Sequence, residues 1–338
     1  MKLRGLTFIA MIWVLSTTLQ AEIIKKAQVG FRFLENPVGA ASIGRGAMGV
    51  TLESGANAVF WNPAGVSWSE QGRNLMLTRT QGIADIELNA MAASVKFMRD
   101  IYLAADLISM DYGQLNGTRR ADNEDGFIET GSFSPSAWAA GVTLSQRVST
   151  SFSYGVRLKY AHQDLGSAWI STSGVSLSDS ALVLEQKSYA LSDPAIDIGT
   201  SYRFPVYDIR FGAVIRNFSR ELKYERQKFP MPFAVSFSLS ADLFKLLKLD
   251  RNKQELLLGF ETIHPRDYRE KFILGAEYNM LEVLALRMGY MGNYDERGLT
   301  FGTGFTKQIG ALHLKLDYAF QSHGVFEPVH TFSFSTDF

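Results

Sequence analysis

The chain has 338 residues, Lys+Arg and Asp+Glu balanced at 34 each, no cysteine, and 46% hydrophobic residues. That balance leaves no basic field for nucleic acid, and the missing cysteine removes disulfide scaffolds, thiolate metal sites and cysteine nucleophiles. Mean hydropathy is −0.02, and beyond the amino terminus no run reaches the ~18 apolar residues of a membrane helix. A membrane barrel stays open, because alternation hides its apolar face from any running average.

At the amino terminus, Lys2 and Arg4 precede an apolar run from Leu6 to Leu15 and a more polar exit from Ser16 to Ala21. This pattern predicts a secretory signal peptide over 1–21, cleaved after Ala21, since a run of about ten apolar residues is too short for an anchor. Residues 22–71 differ in character. They carry Gly30, Gly39, Gly44, Gly46, Gly49, Gly55 and Gly65, lack sustained alternation, and contain the run FWNPAGVSW from Phe60 to Trp68. Such a segment ahead of a strand-rich remainder is expected inside the lumen as a plug, its small residues letting the backbone pack closely on the wall. Within it, Asn62 can cap a short helix with Pro63 at the first helical position, or Pro63 and Gly65 can form a turn.

From Gly72 onward about fourteen segments have the ~9–11 residue length of tilted barrel strands. They run over 72–83, 86–98, 101–111, 134–147, 150–163, 193–204, 207–218, 231–243, 254–264, 270–280, 283–292, 297–308, 311–321 and 328–338. In 311–321, Leu312, Leu314, Leu316, Tyr318 and Phe320 oppose His313, Lys315, Asp317 and Gln321. In 150–163, Phe152, Tyr154, Val156, Leu158 and Tyr160 oppose Ser151, Ser153, Arg157 and Lys159. Residues 244–253 are long for a tight turn and predict a short amphipathic helix.

A soluble β-sandwich also alternates, but two features weigh against it. Arg147, Arg157, Arg210, Arg216, Glu277, Arg287 and Lys315 recur on the polar face of successive strands, as a watery lumen permits. The connections also sort by length: 112–133, 164–192 and 219–230 fall on one side, and 99–100, 148–149, 205–206, 281–282 and 309–310 on the other, the asymmetry of an outer-membrane barrel. The expected fold is therefore all-β, a transmembrane antiparallel β-barrel of about fourteen strands over 72–338, with an even count that leaves no exposed edge.

The last strand alternates to the end, with Phe332, Phe334 and Phe338 on one face and Thr331, Ser333, Ser335 and Asp337 on the other. A chain finishing in this way resembles a bacterial outer-membrane barrel. The resemblance implies that Phe332, Phe334 and Phe338 form the signal read by the barrel-assembly machinery. Asn62-Pro63-Ala64-Gly65 in a Gly-rich segment ahead of barrel strands resembles the FadL superfamily. It sharpens toward the PorV/PorQ family in GFRFLENPVGAASIGRGAMGV (Gly30–Val50) with FWNPAGV, in HPRDYREKFILGAEY (His264–Tyr278), and in ALRMGY, LTFGTGF and LKLDYAF over 285–320.

That resemblance places Asn62, Pro63, Ala64 and Gly65 in a luminal hatch. It implies handling of secreted cargo proteins at the outer membrane by outer loops, as in type IX secretion. The FadL alternative implies passage of hydrophobic small molecules such as long-chain fatty acids, with sideways exit into the membrane.

Other patterns fall away. Gly44 to Gly49 fits G-x-G-x-x-G, but no buried strand precedes it and no helical period follows. Asp122, Glu124 and Asp125 lack EF-hand spacing. His162, His264, His313, His323 and His330 are scattered without ligand spacing, and no Ser, His and acid group into a triad. The expectation is a non-enzymatic barrel without cofactor or metal, whose partners are outer-membrane lipid, the assembly machinery, and a cargo protein or hydrophobic ligand.

Overall fold

The computed structural model describes residues 29–120, 123–171, 184–205, 207–249 and 253–338. The predicted signal peptide over 1–21 and the first part of the predicted plug lie outside them. So does Asp122 of the acidic loop.

The wall begins with β1 (Arg73–Gln81), β2 (Glu87–Met98) and β3 (Ile101–Asp111). A hairpin of β4 (Leu115–Arg120) and β5 (Phe127–Phe133) follows, then β6 (Ser136–Arg147), β7 (Phe152–Ser171), β8 (Leu184–Phe204) and β9 (Ile209–Phe218). A second small hairpin, β10 (Leu222–Lys223) and β11 (Lys228–Phe229), leads to β12 (Ala234–Asp242), β13 (Gln254–Pro265) and β14 (Lys271–Met280). The ring is completed by β15 (Leu284–Gly292), β16 (Leu299–Ile309), β17 (Leu312–His323) and β18 (Phe326–Asp337). Apart from the two hairpins, fourteen strands form a closed antiparallel barrel in chain order, and β18 returns to β1 with Leu77 opposite Phe334. Closure removes the exposed edge that an open sheet would leave. At the seam, Arg73 and Phe338 exchange backbone hydrogen bonds of 3.0 and 2.9 Å.

All fourteen predicted strands are present, and the differences lie at their outer ends. β7 and β8 run on beyond the wall as a ribbon, Ser167 facing Ser188, so much of the predicted loop 164–192 is strand. The predicted loops 112–133 and 219–230 each fold into a hairpin. These departures share a cause: once clear of the wall both faces of a strand are solvated, and the two-sided alternation that marks a wall strand vanishes. After β12 a one-turn helix, Leu243–Leu246, takes the place predicted for an amphipathic helix, capped by Asp242 through the Phe244 N–H.

Alternation assigns the two faces. Along β6 every second residue from Ala137 to Ser145 is buried, while Trp138, Val142 and Leu144 are exposed. The outside of the ring is a continuous apolar belt in which Leu316 is 58% exposed and Phe305 49%, a surface suited to hydrocarbon rather than water. Among the described residues no helix is long and apolar enough to cross a membrane.

The inside departs from the sequence expectation. A watery lumen was the reading of the recurring charges, but Arg157, Glu277 and their neighbours are buried. Residues 29–71 occupy the bore and touch the wall around most of its circumference. The Ala40 N–H donates to Ser333 on β18, the Gly46 N–H to Thr300 on β16, and the Val50 N–H to Glu261 on β13. Farther along, Asn62 donates to the Thr200 carbonyl on β8, and Ser153 on β7 donates to the Ala64 carbonyl.

Candidate functional site: the inner segment and the cavity beside it

The run Asn62-Pro63-Ala64-Gly65 folds as its residue types dictate. Asn62 has an extended backbone and caps a short 3-10 helix, Pro63–Trp68, by accepting from the Ala64 N–H at 3.1 Å, with Pro63 at the first helical position. Its amide donates to the Val50 carbonyl at 3.1 Å and the Thr200 carbonyl at 3.0 Å. Asn62, Pro63, Ala64 and Gly65 are all buried. The tetrapeptide is thus both a cap and a tie between two turns of the inner segment and the wall. Phe332 and Phe338, by contrast, face outward and are about half exposed, with Phe334 on the same face. The motif and the terminal aromatics do not meet.

One feature escaped the sequence reading. Gly259, Gly275 and Gly289 are cross-strand neighbours on β13, β14 and β15, all facing inward. A Cβ on Gly275 would lie 2.6 Å from the Arg45 carbonyl oxygen, and one on Gly289 would collide with the Gly46 backbone. These glycines form a bare strip: the inner backbone lies directly on Gly275 and Gly289, and the Met48 side chain lies on Gly259. Their periodic placement at the centres of successive strands was the available signal, although Gly inside a strand pattern also fits a bulge.

Two buried ionic groups line the bore, one beside this contact and one opposite it. Arg45 pairs with Glu53 of its own segment and with Glu277 of the wall. Arg287 then links Glu277 and Asp317, with both bonds at 2.6 Å. Across the bore, Arg157 bonds Asp106 and Asp197, and Lys159 lies 2.8 Å from Asp197. Asn217 adopts left-handed geometry (φ 59) at a bulge in β9, which turns its N–H onto Asp197 at 2.7 Å; Asn tolerates that geometry better than most residues. Buried charges held this way need complete partnering, and both groups supply opposed signs.

The remaining sector is packed differently. Between the inner segment and β1, β2, β3, β17 and β18 lies a cavity of about 180 Å³. Its apolar lining includes Ile43, Ile83, Ile86, Leu88, Met110 and Val329. Arg297 and His323 stand in the same lining, giving the cavity one polar end. Arg297 belongs to the connection after β15 and donates to the Asn36 Oδ1 at 3.0 Å. Among the described residues it makes no ion pair. Burial pushes its guanidinium below the usual arginine range, only partly offset by Tyr294 and Glu35. Burial also pushes the neighbouring Tyr294 phenol up to about 12. The cavity offers an apolar body with one unneutralised cation, which suits a hydrophobic molecule with or without an anionic head. Nothing in the sequence marked Arg297, because the residues that line the cavity with it come from four separate stretches of chain.

Within the Gly44–Gly49 run, Gly44, Arg45 and Gly46 touch β14, β15 and β16.

No protein-family model and no curated protein matches the chain. Solved structures do. The monoaromatic hydrocarbon channel CymD superposes with a TM-score of 0.59 at 14% identity, over 89% of this chain and 97% of that one. The Pseudomonas putida toluene transporter TodX gives 0.56 at 14%, over 89% and 98%. A Pseudomonas aeruginosa FadL homologue gives 0.55 at 13%, over 89% and 98%. The fold is that of FadL-type outer-membrane barrels. At such identities the likeness speaks for the fold alone.

Proposed function

We propose that this chain is an outer-membrane channel for hydrophobic small molecules, with residues 29–71 as its hatch and the cavity at Leu88 and Arg297 as its ligand site. The observation that carries this reading is an apolar cavity with one cationic end beside the hatch. A cavity of ~150 Å³ holds benzene, so this one accommodates a monoaromatic ring or the head end of an alkyl chain. Arg297 favours a carboxylate at that end, since a charge-assisted bond to a guanidinium is stronger than a neutral one. The hydrocarbon and toluene channels of like fold agree with such a ligand class.

The test is uptake by cells expressing the barrel, with toluene as neutral probe and laurate as anionic probe. Leu88→Trp, which fills the cavity, is expected to reduce uptake of both. Arg297→Met is expected to reduce laurate uptake about tenfold, the equivalent of one such bond, and to leave toluene unchanged. Uptake no faster than in cells lacking the barrel would end the reading.

A second reading, handling of exported cargo as in the PorV/PorQ family, draws support from the outer hairpins. Glu225 beside the β10–β11 hairpin receives Lys187 and the Tyr189 hydroxyl from the β8 ribbon, at 2.9 and 2.8 Å. The β10–β11 hairpin and the ribbon thereby form a joined surface. Capture of exported proteins sharing a carboxy-terminal domain, lost on deleting 164–192, would favour it. Under either reading, Phe332, Phe334 and Phe338 serve as the assembly signal.

A further inference from the structure

The outer wall carries a groove of about 420 Å³ across β17, β18, β1, β2 and β3, on the face opposite the bore. Its lower part is apolar, formed by Leu77, Met91, Leu107, Leu316 and Phe334. At its upper end the chemistry changes. Strand register sets Arg79, Asn89 and Ser109 side by side on β1, β2 and β3, between the aromatic neighbours Phe332 and Trp138. All three line the groove.

Polar side chains on a lipid-facing wall are unfavourable unless something polar meets them. Arg79 is 56% exposed and pairs with Glu87 on β2. That pair uses one of five guanidinium donors, and the fork left over matches a phosphate. Asn89, Ser109 and the Glu87 carboxylate add an amide, a hydroxyl and an acceptor suited to sugar hydroxyls. The long loops and the ribbon of β7 and β8 stand at the same end, the outer side in barrels of this kind.

We infer that this groove binds a phosphorylated glycolipid of the outer leaflet, its phosphate on Arg79, its sugar against Asn89 and Glu87, and one acyl chain along Leu77 and Met91. The site is independent of the bore, since these side chains point away from the hatch and its cavity.

The test is native mass spectrometry of the full-length barrel in mild detergent, with lipid A bisphosphate added, beside its dephosphorylated form. Wild-type barrel is expected to retain one lipid A and to prefer it about tenfold or more over the dephosphorylated lipid, as expected for a charge-assisted contact. Arg79→Leu with Asn89→Leu is expected to abolish the preference. These residues face lipid, so the variant should fold, and retained heat-modifiable migration on gels checks that it does. If Arg79 proves needed for folding, Asn89→Leu alone with Ser109→Ala should still weaken retention several-fold. Equal retention by the variant, or of the dephosphorylated lipid by wild type, overturns the inference. Leu88→Trp should leave retention unchanged, which separates this site from the ligand cavity.

Discussion

Two sectors of the bore receive the same inner segment in opposite ways. Over β13, β14 and β15 the wall presents Gly259, Gly275 and Gly289; the backbone of Arg45 and Gly46 lies directly on the last two, and the Met48 side chain on the first. Over β18, β1 and β2 the wall presents Val329, Thr80 and Leu88, and the segment stands off to leave a cavity. Side-chain size on the wall thus decides where the segment is clamped and where a ligand has room. Close contact and vacancy are both packing outcomes, and packed interiors tolerate little change in either direction.

The largest effect is expected on the clamped side. Gly289→Val would drive a branched side chain into the Gly46 backbone, which cannot move without lifting the segment. The expected outcome is a barrel that conducts ions in planar bilayers and loses protease protection of residues 29–71. Gly298→Val, where no atom lies within 4 Å of an added Cβ, is the matched control and should behave as wild type. An unaltered Gly289→Val barrel would show that the glycine strip does not clamp the segment.

Next comes the ionic tie. Among the described residues, Arg45→Met leaves Glu53 buried with only Ser42 as a hydrogen-bond donor, while Glu277 keeps Arg287. Removing one partner of a buried pair costs about 3–5 kcal/mol. Faster hydrogen exchange at the amides of Gly46 to Val50 is expected, with the outer wall unaffected.

On the open side the effect is smaller and selective. Leu88→Trp should lower hydrophobic uptake about tenfold, or ~1.4 kcal/mol, with little change in melting temperature. A large loss of stability instead would mean that the cavity is closely packed and not free to receive a ligand.

The smallest effect concerns the turn between β8 and β9, away from both sectors. Burial alone would push the Asp208 carboxyl up, yet Arg210 at 3.1 Å and Lys245 at 2.7 Å hold it below the usual carboxylate range. A carboxyl held low in the folded state contributes stability above its unfolded value of ~4, and loses it as pH falls through the folded value. Asp208→Asn should flatten the acid limb of a melting curve slightly. An equally steep limb in the variant would place that acid sensitivity elsewhere.

Period-two alternation is a local property, written into each stretch of about ten residues, so composition and pattern alone sufficed for the all-β class, the fourteen wall strands and their two faces. Asn62 and Pro63 likewise announced a helix cap, because capping is settled within three residues. The sequence pattern failed where both faces of a strand meet water, as in the ribbon of β7 and β8. It also mistook paired buried charges for a wet lumen, since Arg157 and Asp106 are 51 residues apart and nothing local reveals that they meet. The glycine strip, the cavity at Arg297 and the polar group of Arg79, Asn89 and Ser109 exist only once the strands have paired. Strand register then brings distant residues side by side, and the inner segment decides which inward-facing ones remain uncovered.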